Sequence, residues 1–378
     1  MWFVIDNGGG SIKCGFVESP DCIEIPNCIA KPRKDVRTLV GVQTESDDLV
    51  NHSDLVYTRP HERGYLTNIA VETDVWDHMF EQVGYLGSVS GIIVTSPPFN
   101  PVDLAAALDQ MITDHFNLYK LRKVNPAALV ARYASGKSRF CLVVDSGFSF
   151  THVTPVFDGV CYERGIRRID VGGKLLTNYL KELVSFGEVN VMDDTYVVDC
   201  MKKRCCYVST DIKKDLHDLG LMKRQPYLKR QERLTMAQRQ ELDTRFTRRY
   251  VLPDYQKVKK GYLLDPDTSY AEVEHLKDLI VTLSGECFLV PELLFNPSDL
   301  GIAQAGIPEV IEQVIAACPL ETRHLLRSNV VVTGGNSLFP NFESRLSNDL
   351  GPEYIITMCG PDTAWKGGKQ VAAQLSSH

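Results

Sequence analysis

No apolar run in this 378-residue chain approaches the roughly 18 residues of a membrane-spanning helix, and the N-terminus reads as a strand rather than a signal peptide. Neither a span nor a secretory leader is therefore expected. None of the 11 cysteines stands in a C-x-x-C spacing. Zinc-ribbon and thioredoxin-type motifs are thereby excluded, and the thiols are expected to be reduced, as in a cytosolic or nuclear protein, with Cys205-Cys206 a packing pair rather than a metal site. Positive charge is also in deficit: a net charge of −7 leaves no general affinity for nucleic acid, so any such contact must come from a local patch. The length is too great for one compact core and fits two domains.

What the chain does have is an apolar strand, Trp2 to Ile5, ending in Asp6-Asn7, then Gly8-Gly9-Gly10, then a returning strand Ser11-Ile12-Lys13-Cys14-Gly15-Phe16-Val17. Three glycines free the backbone to turn and leave bare N–H groups converging on one place, which suits phosphate oxygens, with Lys13 as an added point charge and Asp6 facing a metal or its water shell. A plain tight turn explains the same residues equally well. The pattern recurs about 140 residues later as Phe140 to Val144, Asp145-Ser146-Gly147-Phe148-Ser149, then Phe150-Thr151-His152-Val153, a spacing far beyond solenoid periods. Two such hairpins suggest two related halves. If the halves face each other, a polyphosphate sits between the turns while Asp6 and Asp145 hold a divalent cation through water, as suits Mg²⁺.

Cys22 to Arg33 reads as an extended crossing segment, and residues 34–59 as a polar, irregular, exposed stretch with no chemistry of its own. Val75, Trp76, Met79 and Phe80 mark a helix burying one stripe, and Gly91-Ile92-Ile93-Val94-Thr95 a buried strand. Asn100 is the expected N-cap of the next helix, with Pro101 at its first position and Leu104, Leu108, Met111 and Ile112 on one face. A helix near Ala127 to Tyr133 ends at Ser135-Gly136-Lys137-Ser138, read as a C-cap because the strand and helix of a Walker loop stand in the reverse order. Gly172-Gly173 opens another helix, where either the approach of an anion or ribose or simple close packing accounts for the pair. A third glycine turn, Gly334-Gly335, follows the strand Val330 to Thr333 and leads through Asn336, Ser337 and Leu338 to Phe339, a ring free to lie against a base.

These runs, together with Trp365-Lys366-Gly367-Gly368, resemble the actin superfamily over nearly the whole chain. Val171 to Asn178, Tyr250 to Asp254, Leu294 to Ile302 and Thr333 to Pro340 are most similar to a nuclear branch of actin-related proteins that serve in Swr-type remodellers, which exchange a variant histone into nucleosomes. The resemblance implies an α/β fold of the sugar kinase, Hsp70 and actin class, two pseudo-symmetric halves with a nucleotide cleft between them. On that reading residues 1–134 form the first half, with 28–59 as a small exposed subdomain. Residues 135–362 form the second, with 172–302 as its outer subdomain, and 363–378 return to the first. The implied nucleotide contacts are Asp6, Gly8, Gly9, Gly10, Ser11, Ile12, Lys13, Asp145, Ser146, Gly147, Gly172, Gly173, Lys202, Gly334, Gly335, Asn336, Leu338 and Phe339. Asp6 and Asp145 are the metal residues if Mg²⁺ is bound.

The departures argue against an enzyme. Counting back from Tyr133, the position of the actin glutamine that orients the attacking water holds Ala127, and loss of such a group typically costs roughly 10²–10⁴-fold in rate. Phe148 and Ser149 replace an acidic residue and a glycine of the second hairpin, Gly9 replaces a phosphate-contacting serine, and Lys203 replaces the acid that meets the ribose while Lys202 keeps a lysine of the base pocket. No catalytic residue is assigned. ATP or ADP is expected as a structural ligand, with an empty cleft as the alternative. Polymerisation is disfavoured by the short tail after Trp365 and by the lack, in 34–59, of the loop that actins insert into the next subunit.

Residues 222–249 carry nine Lys/Arg against three acids, a local excess of six. This stretch, Lys223 to Arg249, with a helix expected over Arg230 to Phe246, reads as a solvated arm, as a contact to DNA phosphate, a nucleosome or an acidic partner, or as an import signal. By resemblance the partners are the remodeller's ATPase subunit and a zinc-finger subunit, and the location is the nucleus, with the cytoplasm as a second site. An ATP-hydrolysing cytoskeletal actin is the alternative. A sugar kinase of the same fold would need an acidic general base in the cleft, and this chain offers no candidate apart from the metal-site aspartates.

Overall fold

The computed structural model describes residues 1–378 except 34–35, 47–50, 85–86, 88, 137, 188, 221–243 and 377–378. Two sheets carry the molecule, and each is built around one of the hairpins. In the first, five strands run in the order Leu121–Val124, Gly91–Thr95, Trp2–Asn7, Ser11–Phe16, Ile23–Pro26. In the second, of six strands, the order Ile356–Met358, Val330–Thr333, Phe140–Ser146, Thr151–Phe157 is extended by Val160–Cys161 and Arg167–Ile169.

The two repeat each other in direction as well as order. The hairpin strand carrying the aspartate has its returning strand antiparallel on one side and two parallel strands on the other. Asp6 pairs with Lys13, and Asp145 with His152. Thr95, just past the registered pair Ile5 and Val94, matches Thr333, which pairs with Asp145. The central strands are buried on both faces, as their unbroken Val/Ile/Leu runs require.

Two helices join the halves. Pro126–Ala134 packs Ala127, Val130 and Ala131 with Cys141, Val143 and Val331 of the second sheet, while Thr363–Ser376 sets Trp365 and Ala372 against Val4 and Ile93 of the first. Consecutive glycines let the latter helix fit. A Cβ on Gly367 would strike the carbonyl of Leu129, and one on Gly368 the side chain of Val4.

Two local expectations need correction. Residues 22–33 are extended and cross from one sheet to another, Ile23–Pro26 ending the first sheet and Ile29–Pro32 entering a separate one, but the chain after them is not irregular: Leu39–Val40 and Leu55–Thr58 complete a three-stranded sheet with Ile29–Pro32. Nor does Asn100 cap its helix. Phe99 turns at φ +59 and Pro101 stays extended at ψ 140, so the helix starts at Val102, and the Asn100 amide donates to Ser96 Oγ instead. The helix Pro126–Ala134 ends at Ser135 with Gly136 at φ +60, the C-cap geometry its sequence predicts. All 11 cysteines are free thiols; Cys205 and Cys206 are buried in the second core. Among the described residues no helix is long and apolar enough to cross a membrane.

Candidate functional site between the two hairpins

The two turns touch. A Cβ placed on Gly10 would lie 2.8 Å from Cβ of Phe148, and one on Gly9 2.7 Å from Oγ of Ser149. Asn27 draws the first turn from outside, its side chain donating to the carbonyl of Gly8 (3.0 Å) and its backbone to that of Gly10 (3.0 Å). With the carbonyls engaged there, the N–H groups of Gly9, Gly10, Phe148 and Ser149 have no partner among the described residues. Unpaired amides in facing turns form an anion cradle.

Asp6 and Asp145 lie beneath that cradle. Thr95 donates to Asp6 Oδ1 at 2.9 Å. Burial pushes the Asp6 carboxyl up, with Lys13 and Thr95 opposing. Burial and then the negative charge of Asp6 push Asp145 up to about 6, again against Lys13. The charge of Asp6 thus raises the cost of ionising Asp145, and a cation beside the two carboxylates would lower it. Beyond this pair, no cluster of three or more His, Cys, Asp or Glu able to hold a metal exists among the described residues. Lys13 Nζ bonds Ser11 Oγ (3.1 Å), whose hydroxyl in turn donates to Glu24. Ile12 has its side chain in the core, leaving only backbone to offer.

The other expected contacts divide. Ser146 and Asn336 are ties within the second half: Asn336 Nδ2 donates to Ser146 Oγ (3.2 Å) and to the carbonyl of Gly147 (2.7 Å). Gly334, at φ +96, passes so close that a Cβ would meet the carbonyl of Ser146 and, at 2.9 Å, Asp145 Oδ1. At Gly172 close packing decides, since a Cβ would lie 2.5 Å from the Phe150 nitrogen. The amides of Gly173 and Lys174 donate to Gly147 and Phe148 carbonyls rather than awaiting an anion. Lys202 does not face a base: it is buried, and its three N–H groups go to the Gly173 carbonyl (3.0 Å), Thr177 Oγ1 (2.7 Å) and Asp199 Oδ1 (2.7 Å). Lys203 pairs with the same Asp199 at 2.8 Å. Phe339 is only 8% exposed and packs in the second core, whereas Leu338, 64% exposed, and Gly335, with nothing within 4 Å of its Cβ position, face open space.

Ala127 is buried in the apolar cluster under the second sheet, its N–H capped by Asn125 Oδ1. His152 stands beside Asp145 in the ladder, a position that nothing local in the sequence singles out. Burial, then the Arg168 charge, hold its pKa down to about 3, and its Nε2 has no hydrogen-bond partner among the described residues. The residues present thus fit a polyphosphate with a divalent cation at the turn end, through bare amides, Lys13 and the two aspartates, with Gly335 and Leu338 open toward a base. The basic stretch is mostly outside the described residues; of its nine cations the three described are all engaged. Arg245 pairs with Asp215 and Asp218, Arg248 donates to backbone carbonyls and lies over Tyr207, and Arg249 is buried on the carbonyls of Asp265, Pro266 and Thr268.

Comparison with known proteins agrees with this geometry. The sequence profile described as Actin matches residues 2–369. Actin-related protein 6 of Drosophila melanogaster is 35% identical over 98% of this chain and 92% of its own length. Actin-related protein 6 of Oryza sativa subsp. indica is 33% identical over 98% and 91%, and an actin-like protein of Yarrowia lipolytica 37% over 98% and 90%. Duplicated hairpins, facing turns, paired aspartates and a profile spanning almost every residue place this chain in the actin family.

Proposed function

We propose that this chain is a non-filamentous actin-related scaffold, a structural subunit of a nuclear remodeller that exchanges a variant histone into nucleosomes. The observation that carries the reading is the near full-length likeness to proteins named actin-related protein 6. Its partners on this reading are the remodeller's ATPase subunit and a zinc-finger subunit, and Lys223 to Arg239 is the part of the basic stretch left to meet DNA. ATP or ADP with Mg²⁺ is a structural ligand. A nucleotide present at 100 times its Kd would stabilise the fold by about 2.7 kcal/mol without any chemistry.

Hydrolysis is not part of the proposal. Ala127 offers a methyl where a water must be oriented, and Phe148 carries no polar group. The alternative, an ATP-hydrolysing cytoskeletal actin, is favoured by one feature, the neutral and unpartnered Nε2 of His152 beside Asp145. Phosphate release with Mg-ATP separates the two: the expected rate is at the no-enzyme background, and turnover with pelletable filaments would establish the alternative. Affinity purification of the chain from its own nuclei is expected to bring down a remodelling ATPase and a zinc-finger protein. Recovery as a lone monomer, or with cytoskeletal proteins only, would end the scaffold reading.

A further inference from the structure

Side chains cross the cleft between the halves at three places, and of their residues only Phe148 also belongs to the phosphate cradle. At the floor, Arg59 Nη1 donates to the carbonyls of Gly10 (3.0 Å) and Asn27 (3.2 Å), and its guanidinium lies 4.5 Å from the centre of the Phe148 ring. Phe148 also fills the space where Gly10 would carry a Cβ. The ring is therefore held between the backbone of one turn and a cation of the same half.

Behind it, Arg168 of the second half donates to the Tyr65 hydroxyl of the first at 3.1 Å and lies 5.8 Å from the Tyr65 ring and 5.1 Å from that of Phe150. Asp170 fixes the guanidinium at 2.7 Å and is itself held by the Gln304 amide at 3.0 Å. Phe150 enters the first half so far that a Cβ on Gly64 would overlap its ring. At the mouth, His52 stacks on Tyr196 with centroids 4.3 Å apart and planes at 14°, and Arg33 meets Asp193 at 3.2 Å.

We propose that these contacts form a staple that holds the two halves closed without a nucleotide. A clamp lined only by bare amides and carboxylates needs phosphate and a cation to draw its sides together. Here Phe148 and Phe150 bury apolar rings against the opposite half, and Arg59 and Arg168 lie on ring faces, an arrangement favourable whether or not the cradle is filled. The proposal stands independently of the structural-ligand reading and would let the chain act as a rigid body through nucleotide gain and loss.

The test is hydrogen–deuterium exchange on the full chain stripped of nucleotide and divalent ions with EDTA and apyrase, then reloaded with Mg-ADP. In the unmodified protein, peptides covering 59–68 and 147–153 are expected to exchange at the same rate stripped and loaded, within about twofold, whereas in Arg59→Ala/Arg168→Ala the stripped form exchanges about tenfold faster there and no faster at 307–317. Stripped wild-type protein exchanging as fast as the double variant, or a double variant as protected as wild type, would overturn the staple. Should the double variant fail to fold, Tyr65→Phe removes only the hydroxyl that Arg168 holds. Faster exchange at 59–68 in that variant supports the proposal, and no change opposes it. Mg-ADP without effect on any form would sink the structural ligand and leave the staple standing.

Discussion

Glu72 and His61 face each other behind the first turn, Nδ1 to Oε2 at 3.9 Å. Burial pushes Glu72 from 4.5 up to about 7, against hydrogen bonds from Asn7, Asn27 and Trp76, while burial and then the Arg59 charge bring His61 from 6.5 down to about 4. The signs oppose. Glu72 holds its proton more tightly folded than unfolded, so its contribution is complete below 4.5 and lost as pH rises through 7. His61 contributes above 6.5 and loses that contribution as pH falls toward 4. Glu72→Gln should therefore lose of order 1–3 kcal/mol more than wild type on acidification from pH 7 to 5 in chelator, and His61→Asn should shift the other way, read from urea midpoints at each pH. An equal slope in all three proteins would contradict the assignment. Gly64→Ala forces a side chain to φ +75 and into the Phe150 ring, and should cost about 2–4 kcal/mol in urea unfolding.

At the scale of elements, the helix Thr363–Ser376 tolerates two interior glycines, each worth about 1 kcal/mol less than alanine in isolated helices. Contact reverses that preference. Gly367→Ala raises helix propensity yet drives a Cβ into the Leu129 carbonyl, so a net loss of about 1–3 kcal/mol is expected in thermal or urea melts. A stabilised variant would show that the helix can slide. The same rule separates the glycines of the hairpins. Gly9 and Gly10 are needed because the opposite turn abuts them, whereas Gly172 is needed for its own half, against the Phe150 nitrogen.

For the whole molecule, charge is the measurable lever. Nine cations stand between Lys223 and Arg249, and Arg245, Arg248 and Arg249 are engaged within the fold, which leaves 9 − 3 = 6 for a polyanion. If the stretch meets DNA, the slope of log K against log salt should not exceed about 5 in magnitude, from about 0.9 per phosphate neutralised. Replacing Lys223, Arg224, Lys229 and Arg230 by glutamine should flatten it by about 3 to 4. A slope unchanged by those replacements would remove the stretch from the interface.

The sequence alone determined the two strand, aspartate and glycine-turn hairpins, because alternation, turn residues and apolar runs act over a few neighbours. It also determined that a methyl group stands at 127 and an apolar ring at 148, which are matters of chemical identity. Tertiary structure alone decided which groups face the cleft. Lys202 is a lysine of the right register, but Thr177 and Gly173, 25 to 29 residues away, take its protons. Phe339 was legible as an aromatic after a glycine turn, yet a one-residue difference in facing puts Leu338 outside and Phe339 in the core. Arg59, Gly64 and Tyr65 stand in a polar run whose only local signal is Gly64, and their partners Phe148, Phe150 and Arg168 lie 86 to 103 residues farther on. Such pairings are fixed by the packing of two sheets against shared helices, a condition that no window of local sequence contains.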